Sequence, residues 1–388
     1  MANQDLKYCA TDKEIYDLLM SAKQRVNESA MHDMAKARGI FYSPLESRES
    51  LASQISLLTH DYAALGEVLG QSENRNRAER VTSVTLNAKL TSEEIKAVVA
   101  SFQEESIGDQ KVVAHHEGDD KYVMQVQYSE IDYAKTRLLQ RRQREADIRF
   151  EIEPDRTTIR LPANPKARAI VEELRGKLIA KKAEEIPREL IEITDLSPEA
   201  RTQFFTNLIT SLEGYTLVDV SNVKVQSGYK PPEPENAVDD DNAAEVENAA
   251  EEETAEAEEE MLSVVENVAL HGQSLLASSE YQNLRKKGFY ITSLTWVSAQ
   301  TTIPFNQIEF DAGFEEPKEG KEFRYNVRGV YRRNPKGILT KSLRPLTDAH
   351  KQVIYPVLEH TAHTVLAALR EKEKVNVKEP NGPKEKPQ

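Results

Sequence analysis

The sequence predicts an α+β protein: an N-terminal helical module followed by two mixed α+β domains that a disordered acidic linker separates. Three observations support this prediction. Apolar residues recur at helical spacing through residues 10–70, whereas strand-like alternation and helical spacing follow one another after residue 81. A run of negative charge over residues 231–260 divides this second part. Because hairpin turns join many of the strands, α+β fits better than a regular parallel α/β sheet.

The acidic run decides how the net charge is interpreted. Residues 231–260 carry 14 acidic residues, no basic residue and no aromatic residue, so apolar burial cannot offset the entropy of ordering and we expect a disordered linker. The chain has 65 acidic and 51 basic residues, and without those 14 acids the balance is 51 to 51. The overall charge of −14 therefore does not exclude nucleic-acid binding, which depends on local clusters of positive charge.

Domain boundaries and cellular location follow from composition. The predicted segments are a helical module at 1–72, α+β domains at 81–228 and 261–372, the linker at 231–260 and a disordered tail at 373–388. The single cysteine, Cys9, excludes an internal disulfide framework. No apolar run approaches the roughly 18 to 20 residues that cross a bilayer, and the N-terminus lacks the pattern of a secretory signal. We therefore expect a cytoplasmic protein without membrane contact.

Three helices are predicted in the helical module. Thr11 is placed to cap the first, a second covers about residues 29–38 and ends at Gly39, and Ser47 is placed to cap the third. These positions predict that a short extended segment after Gly39 joins the second helix to the third.

Residues 34–40 (MAKARGI), the pair Ser47-Arg48 and the apolar pair Leu51 and Ile55 lie in this helix–extension–helix. The arrangement resembles the SAP-type DNA-binding module over about residues 28–58. By that resemblance Lys36, Arg38 and Arg48 would contact phosphate, because a helix N-terminus and nearby cations attract anions. A helical hairpin that packs on a neighbouring element is the alternative.

The first α+β domain shows alternating strand and helix signals. We expect a strand from residue 81, a helix that opens at Thr91, two strands around the turn at residues 118–120 and a hairpin around Pro154. Helices follow Asn164 and Ser197, and a strand ends near residue 225.

A basic helix is predicted over residues 132–147. In it Arg137, Arg141 and Arg144 stand at i, i+4 and i+7, which places them in one stripe.

The second α+β domain begins with helices predicted at 261–276 and 279–288 and ends with a helix at about 348–372. Strands are predicted at 289–299, 306–316 and 321–333. In the last strand, alternation puts Phe323, Tyr325 and Val327 on one face and Arg324, Asn326 and Arg328 on the other, with Gly329 a candidate bulge.

The last strand and the loop after it contain the best candidate binding cluster. Its members are Arg324, Tyr325, Arg328, Tyr331, Arg332, Arg333, Lys336, Lys341 and Arg344. Arginine binds phosphate through its bidentate fork, and exposed tyrosines stack on bases. The alternative is an ordinary charge ladder, in which the arginines pair with the acidic residues of the preceding strand: Glu309, Asp311, Glu315 and Glu316.

Motifs of the common catalytic sites are absent from the sequence. It has no glycine-rich phosphate loop and no GxSxG motif. His115 and His116 are neighbours in a predicted strand and point to opposite faces, so they cannot both ligate one ion without distortion. We predict no cofactor and no metal, although Glu309, Asp311 and Lys321 keep a metal-dependent nuclease open as an alternative.

These observations predict a non-enzymatic accessory or scaffold protein that binds nucleic acid, DNA above all, through its phosphate backbone. The predicted contact residues are Lys36, Arg38, Arg48, Arg137, Arg141, Arg144, Arg324, Arg328, Arg332 and Arg333. A protein-interaction subunit of a larger complex, or a homo-oligomer, is the competing class.

Overall fold

The structure, a computed structural model, describes residues 10–72, 79–105, 110–118, 120–228, 267–304 and 306–378. The helices are α1 (Asp12–Ser21), α2 (Glu28–Lys36), α3 (Arg48–Ser56), α4 (Tyr62–Ser72), α5 (Ser92–Glu105), α6 (Pro165–Lys182), α7 (Pro198–Thr210), α8 (Ser279–Lys286) and α9 (Asp348–Lys378). The strands are β1 (Val81–Leu86), β2 (Lys111–His116), β3 (Lys121–Ile131), β4 (Arg141–Ile152), β5 (Thr157–Pro162), β6 (Arg188–Glu189), β7 (Tyr215–Ser227), β8 (Asn267–His271), β9 (Phe289–Gln300), β10 (Gln307–Glu316) and β11 (Lys321–Tyr331). The predicted mixed α+β class is confirmed.

The chain forms two compact units. The first comprises Met1–Ala78, Ala88–Leu161 and Pro165–Ile186, and the second comprises Glu79–Asn87, Pro162–Asn164 and Pro187–Gln388. Residues 187–228 belong to the same unit as the described residues that follow them.

In the first unit, α1 to α4 enclose a small apolar core that includes Leu18, Leu51 and Ile55. Thr11 caps α1 in a capping box and Ser47 caps α3, as the sequence predicts. The same unit contains an antiparallel sheet in the order β2-β3-β4-β5. The helices α5 and α6 supply buried apolar side chains to this unit.

The predicted basic helix at residues 132–147 is wrong. Residues 133–140 form turns, and β4 begins at Arg141. Strand β4 pairs with β3 from Ile131↔Arg141 to Lys121↔Glu151. Arginine, glutamine and glutamate favour a helix locally, but the strand that buries Ala146, Ile148 and Phe150 stays paired with β3 back to Arg141, and this pairing overrides the local preference.

The second unit is built on an antiparallel sheet in the order β1-β11-β10-β9-β7-β8, and β6 also pairs with β1. Its core contains Trp296 stacked on Phe310 at 5.3 Å between ring centroids, together with Phe204 and Phe205 of α7 and Leu358 of α9. The strands β9, β10 and β11 and the helices α7, α8 and α9 are thereby confirmed as predicted.

The acidic linker connects two strands that are neighbours in one sheet. Strands β7 and β8 pair with Gln226 opposite Asn267, so residues 229–266 leave and re-enter the sheet at adjacent positions. The linker itself, residues 231–260, lies outside the described residues. The helix predicted at 261–276 is wrong where the structure describes it, because Asn267–His271 form β8, with alternating exposure of successive residues.

Helix α9 continues through Pro356 to Lys378, beyond the predicted end near residue 372. Residues 379–388 of the predicted tail lie outside the described chain. Among the helices that the structure describes, none combines the length and apolarity needed to cross a bilayer.

Candidate nucleic-acid interface

The alternation predicted for β11 is observed in part, because Asn326, which was expected on the face of Arg324 and Arg328, is buried and accepts a hydrogen bond from the Tyr355 hydroxyl. Phe323, Tyr325 and Val327 are buried in the core, and Arg324 and Arg328 lie on the other face. Tyr325 is fully buried and its hydroxyl donates a hydrogen bond to Glu359. The prediction that exposed tyrosines of this cluster stack on bases is therefore wrong for Tyr325.

The arginines of β11 form the charge ladder that the sequence left as an alternative. Arg324 Nη1 lies 3.1 Å from Glu315 Oε1, and Arg328 Nη1 lies 2.6 Å from Glu309 Oε1. The carboxylate of Glu309 is only 10% exposed, whereas the Arg328 side chain is 50% exposed. These pairs compensate the strand arginines within the protein.

A β-bulge places Arg328 at the start of an irregular region. Glu309 lies opposite Gly329 and Phe310 lies opposite Val327, which leaves Arg328 as the extra residue of β11. A Cβ atom on Gly329 would lie 2.5 Å from the carbonyl oxygen of Arg344, so only glycine lets the two backbones approach this closely. The bulge predicted at Gly329 thus occurs one residue earlier, and Gly329 instead provides room for the chain that returns from the following loop.

We call residues 332–344 the basic loop. It returns to β11 through two backbone hydrogen bonds between Val330 and Arg344, at 2.8 and 3.0 Å. Within it, residues 332–340 form a hairpin with Arg333 opposite Leu339. Gly337 N donates to Asn334 O at 2.9 Å and Gly337 has a φ of +78°, which is the geometry of a type I turn followed by a left-handed residue.

Side chains hold this hairpin from several sides. The Asn334 side-chain oxygen accepts from the backbone nitrogens of Lys336 and Ile338 at 3.0 and 2.9 Å. Arg333 Nη1 donates to the Gly337 carbonyl at 2.7 Å, and the Arg333 backbone nitrogen donates to the Asn306 side chain at 2.9 Å. The basic loop is therefore a preformed structure whose backbone needs little ordering when a ligand binds its cations.

The basic residues of the basic loop differ from the arginines of β11 because most of them have no carboxylate partner among the described residues. Residues 332–347 contain five basic residues, Arg332, Arg333, Lys336, Lys341 and Arg344, and no acidic residue. All five are exposed. With Arg333 set aside, the side chains of the other four form no ion pair with any residue in the part of the chain that the structure describes.

The cations of the helical module are held by the protein itself. Arg48 donates through Nη2 to the carbonyl of Leu19, near the C-terminal end of α1, and its Nε is buried. Arg38 donates to Met34 O at 2.8 Å and contacts His60 Nδ1 at 3.1 Å. Lys36 Nζ lies 3.5 Å from Asp33 in an exposed pair. Phosphate contact by these three residues stays a prediction, but Arg38 and Arg48 have structural roles.

The predicted arginine stripe does not exist as one face. Arg137 lies in a turn and its Nη1 is 2.9 Å from Glu14 Oε1, which ties the β3–β4 connection to α1. Arg141 and Arg144 are three residues apart in β4 and so point to opposite faces of the sheet. Arg144 Nε pairs with Glu130 at 2.8 Å. The error follows directly from the wrong helix assignment.

The carboxylates that kept the nuclease alternative open are engaged. Asp311 accepts from Arg80 Nε at 2.6 Å and Nη2 at 3.2 Å, and from the Thr295 hydroxyl at 3.1 Å. Glu309 pairs with Arg328 and accepts from the Tyr331 hydroxyl at 3.1 Å. Burial, and then the Glu309 carboxylate, raises the pKa of Tyr331, so this phenol remains a hydrogen-bond donor.

No arrangement of metal-ligating side chains supports the nuclease alternative within the described residues, where no group of three or more His, Cys, Asp or Glu side chains is placed to hold an ion. His115 and His116 lie at the end of strand β2, as the sequence predicts, and the structure leaves both exposed.

Sequence reasoning missed two features of this region. The first is Arg80, whose pairing with Asp311 joins residues far apart in sequence and leaves no local signal. The second is that the arginines of β11 pair with carboxylates whereas most cations of the basic loop do not. The absence of acidic residues from 332–347 was a signal in the sequence for this difference. No protein-family model matches this sequence, and no curated protein matches it.

Proposed function

We propose that the protein binds nucleic acid, with DNA the preferred target, and that the basic loop supplies its main phosphate contacts. The observation that supports this most is the set of four exposed cations, Arg332, Lys336, Lys341 and Arg344, that no described carboxylate neutralises. Exposed cations that lack partners attract polyanions and release counterions on binding.

The preformed hairpin strengthens this proposal. Binding by a flexible basic segment would cost the entropy of ordering it, whereas the basic loop is already held by Asn334, Arg333 and the pairing of Val330 with Arg344. Arginine and lysine on a fixed backbone also keep a constant spacing, which suits the regular spacing of phosphates along a strand.

We propose a smaller contribution to nucleic-acid affinity for the other predicted contact residues. Arg324, Arg328, Arg137 and Arg144 each have a carboxylate partner, so phosphate must compete with an existing ion pair. Arg38 and Arg48 donate to backbone carbonyls. We propose that these residues add little to affinity.

The test is the binding of a duplex DNA oligomer by the full chain, measured by fluorescence anisotropy over a series of salt concentrations. The loop variant carries Arg332→Ala, Lys336→Ala, Lys341→Ala and Arg344→Ala. A matched control removes four exposed lysines elsewhere: Lys96→Ala, Lys181→Ala, Lys286→Ala and Lys287→Ala. Both variants change the net charge equally.

We expect the loop variant to lose affinity by a factor of ten or more and to lower the salt slope by about two to four units, roughly one for each lost phosphate contact. The control should keep the slope within about half a unit. No binding by the unchanged protein, or equal losses in both variants, would overturn the proposal.

An interaction with another protein is a second candidate. The extended segment between α2 and α3 exposes Phe41 to 78% and Leu45 to 95%, and large apolar side chains of this exposure are typical of protein contacts. Light scattering on the free protein tests it. Self-association that Phe41→Ser with Leu45→Ser abolishes would support this role, and a monomer at all concentrations would remove the homo-oligomer.

A further inference from the structure

Ile338 is a large apolar side chain at the tip of the most basic part of the molecule. It is 63% exposed, and it lies between Lys336 and Lys341 in a hairpin without acidic residues. Leu339, the next residue, is partly buried and lies opposite Arg333. An exposed isoleucine at this position contributes nothing to the described core of the second unit, so its side chain is available to a ligand of the basic loop.

The hairpin register determines what surrounds Ile338. With Arg333 opposite Leu339, alternation places Ile338 on the other face, where Arg332 and Thr340 also lie. Thr340 N donates to Arg332 O at 2.9 Å, so this face is fixed by cross-strand hydrogen bonds. A cation that can bind phosphate and an apolar tip therefore share one surface of a narrow two-stranded ribbon.

The tip is rigid on its other face as well. Arg333 Nη1 donates to Gly337 O at 2.7 Å, directly before Ile338, and the Asn334 side chain accepts from Ile338 N at 2.9 Å. A side chain that is to separate stacked bases must not fold back when it meets resistance. These contacts hold the Ile338 backbone in place while leaving its side chain exposed.

We propose that Ile338 is a wedge that enters a base-pair step of duplex DNA when the basic loop binds the flanking phosphates, an inference that rests on the proposed function. Aliphatic side chains on basic elements act in this way in proteins that kink DNA, where partial unstacking is offset by the additional contacts that the bent duplex allows. The loop cations would supply those contacts, because Arg332 lies in the first strand of the hairpin, Lys336 in its turn and Lys341 directly after its second strand.

The chemistry of the tip favours duplex DNA over other polyanionic partners. Proteins that bind single strands stack bases on aromatic rings, and the tip has an aliphatic side chain while Tyr325 is buried. A membrane surface requires a broad apolar face on the binding element, and this hairpin presents one exposed large apolar residue among cations. A two-stranded ribbon also has the width that a DNA groove admits.

The experiment measures bending and binding separately. A duplex of about 30 base pairs, a length at which a kink is distinguishable from smooth flexing, carries a donor and an acceptor dye at its ends. The full chain is compared with Ile338→Ser and with Val353→Ser, which changes another exposed apolar residue, 73% exposed, in helix α9. Anisotropy on the same samples gives affinity and salt slope, and thermal unfolding checks that the variants are folded.

We expect the unchanged protein and Val353→Ser to shorten the end-to-end distance and Ile338→Ser to leave the duplex close to straight. Affinity of Ile338→Ser should fall by less than about tenfold with the salt slope unchanged, since the burial of the side chain and the unstacking it causes largely offset each other. Equal bending by all three proteins, or binding without bending by the unchanged protein, would overturn the wedge while leaving the proposed function intact.

The absence of DNA binding would instead overturn the proposed function, and the wedge with it. Sedimentation of the protein with phosphatidylserine vesicles, lost in Ile338→Ser but retained in Val353→Ser, would also contradict the wedge, because the exposed tip would then serve a lipid surface.

Discussion

Strand β11 and the basic loop follow one another in the chain and are both rich in arginine, but they hold their charge differently. The arginines of β11 face carboxylates of β10, with Arg324 at 3.1 Å from Glu315 and Arg328 at 2.6 Å from Glu309. The loop lies outside the named strands and returns to β11 only through the bridge of Arg344 with Val330, and no carboxylate among the described residues forms an ion pair with Arg332, Lys336, Lys341 or Arg344. Strand pairing therefore compensates charge, and departure from the sheet leaves charge available for a ligand.

The largest effect is expected at the ion pair between Arg80 and Asp311, because the carboxylate of this pair is largely buried. In Asp311→Ala the guanidinium of Arg80 loses both of its hydrogen bonds while remaining only 34% exposed. We expect a loss of about 3 kcal/mol in the free energy of unfolding, since a partly buried charge is left without its partner. Urea denaturation measures this, with DNA binding at low denaturant unchanged.

The matched control for Asp311→Ala is Glu315→Ala, whose carboxylate is 40% exposed and pairs with Arg324. Exposed pairs contribute less than about 1 kcal/mol. Equal losses for the two variants would contradict the idea that burial distinguishes these ion pairs.

A second change breaks the support of the basic loop without altering its charge. In Gly329→Ala the new Cβ would lie 2.5 Å from the Arg344 carbonyl, so the returning end of the loop must shift. We expect a destabilisation of about 1 to 3 kcal/mol and a weaker affinity for duplex DNA.

For comparison, Gly176→Ala in α6 meets no atom within 4 Å and replaces a helical glycine. It should stabilise the protein by about 0.5 to 1 kcal/mol and leave DNA binding unchanged. If Gly329→Ala bound DNA as tightly as Gly176→Ala, preorganisation of the loop would not matter for binding.

A third pair of variants compares one cation of the basic loop with one arginine of strand β11. Lys341→Met should lower DNA affinity by about fivefold and the salt slope by about 0.9, with stability unchanged. Arg324→Met should change affinity by less than about twofold and the free energy of unfolding by less than about 1 kcal/mol. Anisotropy titrations and urea denaturation on both variants give these numbers, and a reversed order would remove the distinction between strand and loop.

The smallest expected effect concerns pH. Burial alone would raise the pKa of Asp195, but hydrogen bonds from Arg370 and the charge of that guanidinium hold the pKa below its ordinary value. The folded protein then binds fewer protons, so this carboxylate stabilises the fold above about pH 4 and the contribution is lost as pH falls through the lowered pKa. Both side chains are at least a third exposed, so the contribution is below about 1 kcal/mol.

Arg370→Met tests the pH effect. The difference in free energy of unfolding between this variant and the unchanged protein should be largest at pH 6 to 7 and should shrink below about pH 4. A difference that stays constant down to about pH 2 would show that Arg370 acts through packing alone.

Local signals were sufficient for most of the elements. Capping residues such as Thr11, Ser47 and Ser197 and the alternation in β9 to β11 each depend on neighbours in sequence, and the structure confirms them. The two wrongly predicted helices, at residues 132–147 and 267–276, contain segments that form strands instead, because β4 pairs with β3 and β8 pairs with β7.

The sequence could predict which segments of the candidate site are rich in arginine, but it could not predict which arginines are paired. Clusters of arginine were visible in the sequence, but which of them meet carboxylates depends on strand register and on the bulge at Arg328. Arg80 lies more than 200 positions from Asp311 in the chain, so no window of sequence joins the two. The identity of the free cations is for this reason a property of the fold.

The most direct test of the central claim compares the salt dependence of DNA binding in two double variants. The double variant of the loop, Arg332→Gln with Arg344→Gln, should lower the slope of log affinity against log salt by about two units. The strand variant, Arg324→Gln with Arg328→Gln, removes the same charge and should leave that slope within about half a unit of the unchanged protein. Equal reductions in the two variants would contradict the account.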